Sequence, residues 1–173
     1  DDTDWSDLHE LTTVLDAPPT AAQRDWMWEH LDVPAMINYA ATVAVVRHSD
    51  SSWYNYYVTN DTFGTGRWEM LLWDMDTLFV TDADDNDGDF LTPADNGQKF
   101  MIALMAHPEF RQMYMRRFRT LIDEKLTPDW YRQRAATSIA TYTADYALER
   151  TTNGGRSIAR FTQLLDLGTA DRL

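Results

Sequence analysis

Hydrophobic periodicity changes twice along this chain, and the two changes bound what it can fold into. Up to residue 46 apolar residues recur at helical spacing. Leu8, Leu11, Val14 and Leu15 mark a first helix over 3–17, with Asp4 or Ser6 as candidate caps and Pro18-Pro19 as its stop. Thr20 can cap a second helix to about 31. Asp32-Val33-Pro34 opens a third, apolar on most of its surface, as a central helix is. The pattern then turns aromatic and β-prone over 54–58 and 67–73, around the turn-rich Asn60-Asp61-Thr62-Phe63-Gly64-Thr65-Gly66. This predicts a β-hairpin, and the near-continuous apolar run Trp68, Met70, Leu71, Leu72, Trp73 predicts that its second strand is buried. Residues 77–97 read as an acidic loop, and from Gln98 the chain is helical again. His107-Pro108 separates helices over 100–106 and 108–122, and further helices are expected over 127–150 and 158–167. The fold class is therefore mainly α with a small β-hairpin, in one domain over 1–173.

Composition excludes several classes. The chain has no Cys, so disulfides, zinc–thiolate centres and cysteine nucleophiles are ruled out. A net charge of −13 argues against a nucleic-acid partner, which requires a basic face. No apolar run approaches the ~18 residues of a membrane span. The charge is unusual in kind: 22 Asp against 6 Glu, and 13 Arg against 2 Lys. Such a surface suits high salt, where ions screen self-repulsion, and equally serves as a plain soluble acidic surface. The chain opens on Asp1-Asp2-Thr3-Asp4 rather than Met and reads as a mature or excised fragment.

The candidate chemistry gathers around the hairpin. Asp50 precedes it, Asn55 stands at its entry, and Asp74 and Asp76 follow its second strand. Singly, Asp50 and Asn55 read as turn or capping residues. Asp74 and Asp76 are harder to explain that way. Two carboxylates at i and i+2 after a buried strand repel unless a cation, an Arg or a helix N-terminus lies between them. Together, Asp-x-x-x-x-Asn, a hairpin and a strand-end Asp form the layout of a phosphoryl-transfer site. In such a site one Asp accepts the proton of the attacking hydroxyl, and an Asn and a second Asp hold metal on the nucleotide phosphates. The run 82–89 (Asp-Ala-Asp-Asp-Asn-Asp-Gly-Asp) begins like a calcium loop. Its Gly is displaced by one position and no Glu stands at the twelfth, so a solvated acidic loop is the simpler reading and Ca²⁺ the other.

Asn55-Tyr56-Tyr57, Thr65-Gly66-Arg67-Trp68 and Trp73-Asp74-Met75-Asp76-Thr77-Leu78-Phe79 resemble motifs of the CotH kinase family, the spore-coat-protein-H-like atypical kinases. Pro108-Glu109-Phe110-Arg111, with Arg117 and Leu121 downstream, and Leu126-Thr127-Pro128 extend the likeness, which covers about residues 35–150. The resemblance implies a divergent protein-kinase-like C-lobe. It implies Asp50 as catalytic base, Asn55 and Asp74 as metal and nucleotide ligands, and Asp76 as an aid to a second metal. ATP with Mg²⁺ or Mn²⁺ would be the cofactors, Ser or Thr of a protein the acceptor, and a secreted, cell-surface or spore-surface location the setting. The order Arg47-His48-Ser49-Asp50 departs from a His-Arg-Asp loop, so no role passes to Arg47 or His48; Val80 stands where the family often has Gly. The chain shows no Gly-rich phosphate loop, strand Lys or pairing Glu of an N-lobe, so it reads as the C-lobe portion, inefficient on its own. The alternative is a non-catalytic helical binding module on the same scaffold, Ca²⁺-stabilised and extracellular in one form.

Overall fold

The computed structural model describes residues 4–46, 48, 55–75, 99–130, 132–134, 136–138 and 140–141. Their order is α1 (Ser6–Leu15), α2 (Ala21–His30), α3 (Val33–Val45), β1 (Tyr56–Asn60), β2 (Trp68–Leu72), α4 (Lys99–Ala106) and α5 (Pro108–Lys125). The chain divides into two compact units, 1–119 and 120–173. The expected mainly helical fold with one small hairpin is what these residues form.

In the first unit the helix starts are set by local chemistry. The Thr20 hydroxyl accepts the Gln23 N–H at 3.2 Å, and Asp32 Oδ1 accepts the Ala35 N–H at 2.9 Å, with Pro34 in the first turn of α3. The first helix is different. Its N-cap is Trp5, which makes no side-chain cap bond, and the Asp4 carboxylate instead accepts the Ser6 N–H at 3.0 Å. Helix α3 is the central one: Val33, Met36, Ile37, Tyr39, Ala40, Ala41 and Val43 are all buried. The buried core also takes in Leu11 and Leu15 of α1, Met27 of α2, Phe100, Met101 and Leu104 of α4, and Phe110 and Tyr114 of α5. Helix α1 packs on α4, where Lys99 also pairs with the Asp16 carboxylate.

A buried polar link crosses this core. Gln23 Nε2 donates to the carbonyls of Val14 and Ala17, both at 2.8 Å, so its Oε1 is left to accept from His107 Nε2 at 2.9 Å. The α1–α2 loop is thereby tied to the residue that precedes α5.

Strands β1 and β2 pair antiparallel in the register Tyr56↔Leu72, Val58↔Met70, Asn60↔Trp68. The first strand runs two residues beyond the expected 54–58, because pairing continues to Asn60 and the turn closes tightly on Asp61. The Asp61 carbonyl accepts from Gly66 N–H at 2.8 Å and its carboxylate from Thr65 N–H at 2.7 Å. The expectation of a buried second strand is corrected. Only Met70 is buried, against α3, while Leu71, Leu72 and Trp73 are 42–54% exposed. Among the described residues the sheet has two strands, with α3 packed on it, and no further strand or helix packs on its other face.

In the second unit the Leu126 N–H donates to the Leu121 carbonyl at 3.2 Å, closing α5. Helical backbone resumes at Pro128, with the Thr127 hydroxyl accepting the Trp130 N–H at 3.3 Å, as the Thr-Pro-Asp start predicts. Lys125 and Arg134 both lie about 6 Å from the Trp130 ring centre.

Candidate active site

The hairpin brings two of the expected site residues together. Its register continues one step past Tyr56↔Leu72, where the Trp73 N–H donates to the Asn55 carbonyl at 3.3 Å. Asn55 thus lies across from Trp73, and Asp74 is the next residue along. Nineteen positions separate Asn55 from Asp74 in sequence, and the antiparallel ladder removes that separation.

Both residues hold left-handed backbone, Asn55 at φ 68° and Asp74 at φ 51°, and they are the only non-glycine residues with positive φ among those described. Asn and Asp tolerate this region better than other chiral residues because their short polar side chains bond locally. At each place the chain leaves its extended course just where the ladder stops, which turns both side chains away from the alternation of the strands. Asn55 is half-buried and Asp74 exposed. Asp74 follows a strand end that is itself exposed, so water can solvate its carboxylate.

Beside the pair, Tyr57 and Trp73 meet edge to face, their ring centres 5.2 Å apart. His48, which leads toward Asp50, is buried, and its N–H donates to the Val43 carbonyl at 3.0 Å, so the chain leaving α3 stays tied to that helix. Asp50, Asp76 and the acidic stretch 82–89 lie outside the described residues. Among the described residues no three His, Asp or Glu side chains gather as a metal cluster. The chemistry of the donors suits a hard divalent cation: an amide oxygen at Asn55 and a carboxylate at Asp74, on neighbouring backbone, offer the oxygen ligands that Mg²⁺ and Mn²⁺ take.

Sequence reasoning did not foresee the attachments that hold this hairpin. The Asp32 N–H donates to the Trp68 carbonyl at 2.8 Å, Leu31 and Trp68 form a parallel bridge, and Arg67 Nε donates to the Glu29 carbonyl at 3.3 Å. These contacts join residues more than 30 apart, and no local pattern announces them. Among the described residues no helix is long and apolar enough to cross a membrane.

No curated protein and no solved structure matches the chain. A family model described as "CotH kinase protein" matches residues 1–157. That match spans the helical scaffold, the hairpin and both left-handed residues at its open end, and the chain belongs to the CotH kinase family.

Proposed function

We propose that this chain carries the metal- and nucleotide-binding part of a kinase-like C-lobe, and that it serves ATP-dependent phosphoryl transfer to Ser or Thr hydroxyls of a protein. The observation that carries this reading is the juxtaposition of Asn55 and Asp74 at the open end of the hairpin, in a chain of the CotH kinase family. In this reading Asn55 supplies an amide oxygen and Asp74 a carboxylate to Mg²⁺ or Mn²⁺. Asp76 assists a second ion, and Asp50 accepts the proton of the acceptor hydroxyl. When bound, the metal neutralises charge on the nucleotide phosphates. The chain's own part is to hold two oxygen donors on a scaffold fixed by α3, because a phosphoryl-transfer site works mainly by positioning and electrostatics. A setting at a cell or spore surface rests on the family alone.

Thermal unfolding with ATP and Mn²⁺ tests this, comparing the parent with Asp74→Asn. Asn accepts left-handed backbone as Asp does, so the variant should keep the parent's melting temperature without ligand. A ligand at about 100 times its Kd stabilises by about 2.7 kcal/mol. The parent should therefore melt several degrees higher with ATP and Mn²⁺, and Asp74→Asn should not. No shift in the parent would sink the proposal. It would favour the second reading, a non-catalytic binding module, which the exposure of Tyr57, Phe63, Leu71 and Trp73 supports. An equal shift of both proteins with metal alone would move the metal site to the acidic stretch.

A further inference from the structure

The Thr65-Gly66-Arg67-Trp68 motif has no part in the site as proposed, yet the fold gives it one. At the hairpin tip Asp61 closes the turn on the Thr65 and Gly66 N–H groups, and Gly66 takes the positive φ of 70° that releases the chain into β2. The next residue, Arg67, donates from Nε to the carbonyl of Glu29 at 3.3 Å. That carbonyl belongs to the last turn of α2, where carbonyls lack helical partners and carry the negative end of the helix dipole. Trp68 then bridges Leu31, and its carbonyl takes the Asp32 N–H at 2.8 Å. Asp32 is also the N-cap of α3. The motif therefore fastens one end of the hairpin to the elbow between α2 and α3, while the other end carries Asn55 and Asp74.

We propose that Arg67 is a positioning residue for the Asn55–Asp74 pair, acting through the hairpin. Met70 is the one buried residue of β2, and with Leu71 and Leu72 exposed beyond it a two-stranded ribbon can rock on α3 about that point. The Arg67–Glu29 contact lies off that pivot and opposes the rocking, so it fixes where the far end points. Arginine suits the task because its planar fork loses little freedom for each bond it makes. The inference rests on the metal–nucleotide reading of the site.

The experiment compares the parent with Arg67→Met, Arg67→Lys and Thr20→Ala. Arg67 is exposed, so its variants should fold. Thr20→Ala removes the α2 cap without touching the hairpin and controls for plain loss of stability. Two quantities are read: the amide resonances of Asn55 and Asp74 with the Trp73 indole resonance, and the affinity for Mn²⁺ with ATP. Arg67→Met should move the three resonances and weaken binding about three- to tenfold, the worth of one hydrogen bond. Arg67→Lys, which restores a donor, should lie between it and the parent, and Thr20→Ala should match the parent in both. Unmoved resonances in Arg67→Met, equal movement in Thr20→Ala, or unchanged affinity beside a binding parent would each overturn the inference. A parent that binds no Mn²⁺ with ATP would instead sink the reading of the site, and the resonances alone would then decide the clamp.

Discussion

At the scale of single residues, the left-handed backbone of Asn55 and Asp74 poses a sharp question. Such backbone alone selects Asn, Asp or Gly, so both residues could stand there for conformation rather than chemistry. Substitution by Gly separates the two. If Asp74 only serves a turn, Asp74→Gly should keep both stability and any Mn²⁺–ATP shift. As a ligand, it should keep stability within about 1 kcal/mol while losing the shift. Asp74→Val, β-branched in a left-handed position, should lose about 1–2 kcal/mol in urea unfolding as well. The sequence disclosed the identity and spacing of this pair. It did not disclose their exposure or backbone, because both depend on where the ladder ends.

At the scale of elements, the starts of α2, α3 and α5 were legible because their causes are local. Thr20, Asp32, Pro34 and Pro108 act within a few residues of themselves, and the starts they predict are the starts observed. The burial of β2 was misread because a run of apolar residues reports a preference, whereas burial needs a covering layer on both faces, and Leu71 and Leu72 are exposed. The His107–Gln23 link was invisible for the same reason, since its partners stand 84 residues apart. It also makes a prediction. Burial, and next the Arg24 guanidinium, push the His107 imidazole below its ordinary 6.5, with Glu109 opposing. The unfolded chain then binds the proton more readily than the folded one, so the stability gained from neutral His107 is complete above pH 6.5 and is lost as pH falls below it. Melting temperature should drop from pH 7.5 toward about pH 5. His107→Gln, which can still donate to Gln23, should flatten that drop; an equal slope in both proteins would refute the assignment.

At the scale of the whole molecule, charge dominates. A net −13 carried largely by Asp repels itself in dilute salt. Raising NaCl from about 0.1 M to about 1 M shortens the screening length from about 10 Å to about 3 Å, so the melting temperature should rise. A flat or falling curve would show that attractive ion pairs, such as Lys99–Asp16 and Arg24–Asp25, outweigh the repulsion. Family membership was likewise open to a reader of the sequence, because its motifs lie in short contiguous runs such as Thr65-Gly66-Arg67-Trp68. By itself the sequence determined the helical class, the caps of α2 and α3, the break at Pro108, the hairpin and its candidate donors, since each follows from periodicity or from chemistry within a turn of chain. Only the tertiary structure decided that β2 is open to solvent on one face, that Asn55 and Trp73 meet across the ladder, and that Arg67 and Trp68 fasten the hairpin to the α2–α3 elbow. Those facts depend on which distant segments share space, and that is settled by packing around α3 rather than by any residue's own preference.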